Sequence, residues 1–284
     1  MANKIVFFGT SEFAVPALEA LHGAGFDLTV ITMPNEPTGR KKIITPPPVK
    51  IAAEKLGIKV LQPQKLKDDI FFEEFKSLEP DFCVIAAYGK IIAERYIQTP
   101  RQGFLNIHPS LLPKYRGPTP VQAAILNGEI ETGVTIMQID KEMDHGPIYL
   151  QKKFNILPDE IYPQLHDRLA QEGSVMLLEV IKDFANFTAQ EQDHTQATFC
   201  KIYAREDGRI DWSRTPQEIY NQIRALNPEP GTWTTWQDKI LNIKKAALIN
   251  GELSLITIQL EGKKETPFKE FLNGHPDFDI YQLK

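Results

Sequence analysis

The sequence predicts an α/β architecture: a mostly parallel sheet with helices on both faces, followed by a smaller, barrel-like β domain. Three features carry this. From Lys4 to Phe187, short apolar runs alternate with amphipathic stretches, the rhythm of repeated strand–helix–strand units. A polar stretch, FTAQEQDHTQAT (Phe187–Thr198), then breaks the pattern. Beyond it, short alternating runs separated by turn residues suit a small β domain. The expected division is residues 1–187, a linker over 188–202, and a second domain over 203–284.

The elements follow in order. KIVFFG reads as a strand, and VPALEALHGAG as a helix ended by glycine. DLTVITM is a strand, and PPVKIAAEKLG a helix with proline at its entry. KVLQP is a short strand, DDIFFEEFKSL a helix and DFCVIAAYG a buried strand. GKIIAERYI reads as helical, with GFLNIH and GVTIMQI as later strands. Leu165, Leu169, Val175, Leu178, Ile181 and Phe184 give one long amphipathic helix from Tyr162 to Phe187. After the linker, GRIDW precedes a helix, TPQEIYNQIRAL, and then the runs TWTTWQ, KILNIKKAALI and ELSLITIQLEG.

Composition sets broad limits. At 284 residues and 42% hydrophobic content, the chain can bury a large core and fill two domains. With 32 basic against 37 acidic residues, net charge gives no sign of nucleic-acid binding, though a local basic patch remains possible. Cys83 sits in an apolar run and reads as core; neither it nor Cys200 has metal-ligand spacing, so neither a disulfide nor a metal is expected. MANKIVFFGT lacks the apolar core and cleavage site of a secretory signal, and no apolar run approaches the ~18 residues of a membrane span. A cytoplasmic enzyme follows. FGTSEF has one glycine where a dinucleotide fingerprint needs three, so that turn reads as tight strand-to-helix geometry bordering the site.

The chemistry concentrates in Asn106–Ile148. Asn106 and His108 are two apart in FLNIH, so strand alternation sends both side chains to one face. Asp144 follows GVTIMQI, and a loop at the neighbouring strand end can deliver it to the same place. An amide, an imidazole and a carboxylate can hold a developing oxyanion, move a proton and orient the proton carrier. Taken singly, each has a plainer reading: a turn Asn, a packed His, a loop Asp ahead of Gly146. His145, beside Asp144, reads as a bystander.

HPSLLPKYRG followed by GVTIMQIDKEMDHGPI resembles the folate-dependent formyltransferase family. The resemblance extends through KIVFFGTSEFAVPALEAL, the loop PNEPTGRKKIITPPPVK, AAYGKII, GRIDW, IRALNPEPGTW and LEGKKETPFKEFLNG, covering nearly the whole chain. It implies a Rossmann-like catalytic domain, an OB-like C-terminal domain and a catalytic triplet of Asn106, His108 and Asp144. It also implies a tetrahydrofolate site lined by Ser110, Leu111, Leu112 and Pro113, with Tyr88, Gly89, Ile91 and Asp140 on its walls. The donor it implies is 10-formyltetrahydrofolate, the acceptor the amino group of methionine on initiator tRNA. The triplet would stabilise a tetrahedral oxyanion through Asn106 and His108, with Asp144 orienting the imidazole. The protein is expected to act as a monomer.

The loop from Pro34 carries Arg40, Lys41 and Lys42, which as a charge run alone reads as a solvated loop. In the family the equivalent loop grips the tRNA acceptor end, so these three are the candidate substrate-binding residues. One departure stands out: KKAALINGELS runs directly to LITIQLEGKK, about two strands and a loop short of the family pattern at ~10 residues per strand and turn. A shortened barrel is therefore expected. The other readings are a formyltransferase acting on an amino-sugar nucleotide, and a catalytically idle tRNA- or folate-binding protein.

Overall fold

A computed structural model describes residues 3–39, 41–280 and 283. In chain order the elements are β1 (Lys4–Gly9), α1 (Val15–Gly23), β2 (Asp27–Ile31), β3 (Glu36–Thr38), β4 (Ile43–Thr45), α2 (Pro48–Lys55), β5 (Lys59–Leu61), α3 (Asp69–Ser77) and β6 (Phe82–Ala86). They continue with α4 (Glu94–Ile97), β7 (Gly103–His108), α5 (Pro120–Leu126), β8 (Glu131–Gln138), β9 (Ile148–Asn155), α6 (Tyr162–Lys182) and α7 (Pro216–Leu226). The last are β10 (Thr232–Trp236), β11 (Lys239–Ile249), β12 (Glu252–Leu260), β13 (Thr266–Pro267) and α8 (Phe268–Gly274). Among the described residues, no helix is long and apolar enough to cross a membrane.

Contacts divide the chain into two compact units. The first comprises Met1–Arg116, Gly133–Lys153 and His166–Thr198; the second comprises Gly117–Thr132, Phe154–Leu165 and Phe199–Lys284. The sheet of the first unit has the order β5-β2-β1-β6-β7-β8-β9. Pairing is parallel from β5 to β7, as the strand–helix rhythm predicts. β8 then runs antiparallel to β7, with His108 opposite Thr135 and Leu105 opposite Gln138. The strand order reverses between β1 and β6, and ligand crevices open at such switch points, outside the carboxyl ends of the strands. One face is packed by Phe8, Phe75, Tyr88, Tyr96 and Phe104, with the Phe8 ring 5.4 Å from Tyr88 and 5.2 Å from Phe104. Cys83 is buried in this cluster, and both cysteines are thiols.

Two local readings change. The expected helix over GKIIAERYI shortens to α4, and the chain from Ala87 to Ala93 is a loop. Gly89, the first residue of that segment, takes left-handed backbone at φ 89°, and Ala93 is extended at ψ 148°, so the helical turn starts only at Glu94. The buried stripe of α6 runs through Leu165, Leu169, Met176, Leu177, Val180 and Ile181, while Val175 is exposed. Gly173 completes this face: a Cβ there would lie 2.6 Å from Ile107 Cγ2, so glycine lets the helix lie against β7. Ile107 thus faces α6, and alternation turns Asn106 and His108 to the opposite face.

The second unit has an open antiparallel sheet, β10-β11-β12-β13. Ile219 and Ile223 of α7 and Phe271 of α8 pack with Leu241, Ile243 and Ile258 of the sheet. β10 and β13 end the sheet without pairing to each other, so among the described residues the strands do not close into a barrel. The expected barrel-like domain is thus an open antiparallel sheet packed by helices.

Candidate active site

Asn106 and His108 stand together near the carboxyl end of β7, as alternation requires. Asp144 reaches them by a different route from the one expected. Because β8 is antiparallel, its carboxyl end lies beside the start of β7, away from His108. The chain after Ile139 turns back, and the Gln138 amide donates to the Pro147 carbonyl at 2.9 Å, closing the loop at its base. The Asp144 carboxylate then meets both partners. Asn106 Nδ2 donates to its Oδ1 at 3.1 Å, and His108 Nδ1 lies 3.5 Å from the same oxygen. His108 is 4% exposed, and its Nε2 donates to the Tyr115 carbonyl at 2.9 Å. A ring with a carbonyl at one nitrogen and a carboxylate at the other is fixed in orientation and can pass a proton on the carboxylate side. Asp144 itself sits at φ 51°, left-handed backbone that Asp tolerates better than most residues.

The SLLP stretch is built from below by buried polar groups. Thr135 is fully buried; its hydroxyl donates to the Ser110 carbonyl at 2.7 Å and accepts from Gln151 Nε2 at 2.8 Å and the Leu112 amide at 3.4 Å. Gln151 also donates to the Leu112 carbonyl at 2.9 Å. Ser110 is buried too, and its hydroxyl is used on the Lys114 carbonyl at 2.6 Å. Leu112 is buried, whereas Leu111 and Pro113 are half-buried. Ser110 therefore serves the turn with its side chain, and a ligand would meet mainly the backbone and apolar atoms of this stretch.

The loop after β6 carries the other wall residues. Tyr88 is buried in the core against Phe8, its hydroxyl has no hydrogen-bond partner among the described residues, and burial pushes the phenol pKa up. Its backbone carbonyl accepts from the Thr10 hydroxyl at 2.8 Å, tying the loop to the turn after β1. Tyr88 thus keeps its side chain in the core, while Ile91 is 92% exposed and presents an apolar side chain. Asp140 accepts from the Glu142 amide at 2.8 Å and pairs with His145 Nδ1 at 2.6 Å, so it shapes the loop that carries Asp144.

The basic candidates lie elsewhere in the same unit. Lys41 and Lys42 are exposed at the tip of the β3–β4 hairpin, flanked by the exposed Ile43 and Ile44. Arg40 lies outside the described residues.

Sequence reasoning missed three neighbours of the site. Gln192 donates to the carbonyls of Asp144 at 3.0 Å and Gly146 at 2.7 Å. Its Oε1 accepts from Arg116 Nε at 3.2 Å and Nη2 at 2.7 Å. Arg116 Nη2 also donates to His194 Nδ1 at 2.8 Å, and the His194 ring stacks on His145 at 3.9 Å. Gln192 and His194 fall in the polar stretch expected to act as a linker. That stretch is tied into the first unit, with Gln190 bridging Ile148 and Thr198 bonded to Pro113, Tyr115 and Arg116. No periodicity marks such residues, because their partners are mostly backbone groups distant in sequence.

Two family models match: formyl transferase over residues 3–181, and formyl transferase, C-terminal domain, over residues 203–255. The chain belongs to the formyl transferase family. It is 42% identical over 96% of its length, and 87% of the relative's, to a methionyl-tRNA formyltransferase of Chloroflexus aggregans. It is 39% identical to a methionyl-tRNA formyltransferase of Acidobacterium capsulatum, with 96% of each chain covered. Among solved structures, the methionyl-tRNA formyltransferase of Clostridium thermocellum shares the fold at TM-score 0.65 and 17% identity, covering 92% of this chain and 99% of that one. An N-formyltransferase of Helicobacter canadensis, in complex with folinic acid and dTDP-3-aminofucose, does so at TM-score 0.67 and 24% identity, covering 88% and 89%. Members of the family take their formyl group from a folate derivative, and this chain is a formyltransferase.

Proposed function

We propose that this formyltransferase moves the formyl group of 10-formyltetrahydrofolate to the α-amino group of methionine carried by initiator tRNA, acting as a cytoplasmic monomer in translation initiation. The observation that carries the chemistry is the convergence of Asn106, His108 and Asp144 on one face of β7. The acceptor rests on the names of relatives at 39–42% identity over nearly the whole chain.

The amine attacks the formyl carbon, and the carbonyl oxygen gains negative charge. One N–H of Asn106 holds Asp144, which leaves the other to donate to that oxygen. His108, when protonated, adds positive charge beside it, oriented by the Tyr115 carbonyl and the Asp144 carboxylate. Collapse breaks the bond from the formyl carbon to N10 of the folate. The amine gives up one proton and N10 takes one, with Asp144 placed to assist the transfer. The products are the N-formylated amine and tetrahydrofolate.

The folate ring would lie between the SLLP stretch and the loop after β6. Backbone groups of Ser110–Pro113, Tyr88 and Gly89, with Asp140, would fix its edges, and Leu111 and Ile91 would cover its faces. Arg40, Lys41 and Lys42 would meet the phosphates of the tRNA acceptor end.

The test is formyl transfer from 10-formyltetrahydrofolate to methionine-charged initiator tRNA, with uncharged tRNA and an amino-sugar nucleotide as parallel acceptors. Turnover on charged tRNA alone is expected. Turnover only on the sugar nucleotide would keep the chemistry and replace the acceptor. Folate binding with no turnover on any acceptor would make the chain an idle binding protein and remove the proposal.

A further inference from the structure

A single buried amide meets two sets of partners with opposite demands, one needing an acceptor and the other needing donors. The Arg116 guanidinium only donates, and the carbonyls of Asp144 and Gly146 only accept. Gln192, 6% exposed, stands between them: Oε1 takes two N–H bonds from Arg116, and Nε2 gives bonds to both carbonyls. The partners settle which end of the amide is oxygen. Of the side chains of this length, only glutamine meets both demands; glutamate would aim a carboxylate oxygen at two carbonyls.

Arg116, itself 4% exposed, holds the same loop by a second route. Its Nη2 donates to His194 Nδ1, so that nitrogen must be the unprotonated one. The His194 ring lies flat on His145, with an interplanar angle of 5°, and His145 is bonded to Asp140 at the start of the loop. The residue carrying the carboxylate is therefore gripped on both sides from one guanidinium. It needs such support, because Asp144 is in left-handed backbone on a loop that folds back over the sheet.

We infer that Gln192 is a positioning residue for Asp144, transmitting the fixed place of Arg116 to the backbone that presents the carboxylate. The inference rests on the catalytic reading of Asp144 given above. Misplacing a reacting group by about 1 Å can cost ~100-fold in rate. The clamp acts on the far half of the loop, while its Asp140 end has its own bonds to Glu142 and His145. The rate, not folate affinity, should therefore respond.

The experiment uses the full chain with Gln192→Glu, which keeps the contact to Arg116 and removes the two donors. Steady-state kcat and KM for charged tRNA, folate Kd and thermal stability are measured beside Asp144→Asn and the exposed control Gln190→Glu. The expected result is a kcat loss of about 10- to 100-fold. The KM for charged tRNA and the folate Kd should stay within about threefold, and Gln190→Glu should behave like the unmodified protein. A folded Gln192→Glu with kcat within twofold of the unmodified protein, while Asp144→Asn is inactive, overturns the clamp alone. Loss of folate binding in step with kcat overturns it too, by placing Gln192 in the folate site. Full activity in Asp144→Asn would sink the catalytic reading and the clamp together. Should Gln192→Glu fail to fold, Gln192→Met fills the same space without a charge and removes both donors to the loop carbonyls. A kcat loss of threefold or more at unchanged folate Kd is then expected, and an unmodified kcat overturns the proposal.

Discussion

Gly146 gives the sharpest steric test of how Asp144 is placed. A Cβ built on Gly146 would sit 2.2 Å from the Gln138 carbonyl oxygen, where real contacts essentially never fall below 3.0 Å. Gly146→Ala must therefore open this contact by at least 0.8 Å. The obstacle is backbone on both sides: Gln138 ends β8, its amide is bonded to the Pro147 carbonyl, and the Gly146 carbonyl is held by Gln192. Neither side can yield without moving the loop. A shift of that size two residues from Asp144 carries the 3.1 Å bond from Asn106 beyond hydrogen-bonding range and lengthens the 3.5 Å approach to His108. Overpacking of this kind costs about 1–3 kcal/mol in stability, and the displacement should reduce kcat by roughly 100-fold. The assay is formyl transfer to charged tRNA with thermal denaturation of the same sample. Gly274→Ala, where an added Cβ meets nothing within 4 Å, controls for the substitution itself. Unmodified kcat and melting temperature in Gly146→Ala would refute the argument, since the loop would then have slack that the hydrogen bonds deny.

Three further outcomes follow from particular contacts. Thr135→Val leaves the Ser110 carbonyl and Gln151 amide without their buried hydroxyl partner. Denaturant titration should show a loss of about 1–3 kcal/mol, with a raised KM for the folate donor and a smaller change in kcat. Thr215→Ala removes a capping box in which the Thr215 hydroxyl and amide donate to Glu218, at 2.7 and 3.0 Å, and the hydroxyl accepts from the Glu218 amide at 3.3 Å. The cost should be about 1 kcal/mol at neutral pH. Those Thr215 bonds hold the Glu218 carboxyl below its ordinary value of 4.5. Stability from a depressed carboxylate is present above that value and lost as pH falls through the folded one, so the difference between the two proteins should narrow in acid, leaving the part due to the Glu218 amide bond. Lys41→Ala with Lys42→Ala should lower kcat/KM for charged tRNA and flatten its salt dependence by about one unit of slope per lost phosphate contact, with folate Kd unchanged. Unchanged salt dependence would remove the hairpin from tRNA contact.

The parallel half of the sheet was legible because burial writes itself into composition. Strands covered on both faces read as continuous apolar runs, and KIVFFG, DLTVI and FCVIA are such runs. The direction of β8 was not legible. Its apolar pattern says which face is buried and is silent about which way the chain runs. The overlong helix over GKIIAERYI has a similar origin: its apolar spacing suits a helix, while the left-handed Gly89 and extended Ala93 that confine it to Glu94–Ile97 leave no mark in periodicity.

At the site, what could be read was set by chemistry confined to neighbouring residues. Asn106 and His108 were paired by alternation alone, and the SLLP turn follows them directly. Asp144 was anticipated as a loop residue, but the antiparallel β8 means that the loop must fold back to deliver it. The fold answers with contacts from Gln192, His194 and Arg116, side chains in a stretch that reads as linker and in the turn after SLLP. The segment returning from α6 ties that loop to a part of the unit outside the sheet, because the Gln192 amide bonds both loop carbonyls and Arg116.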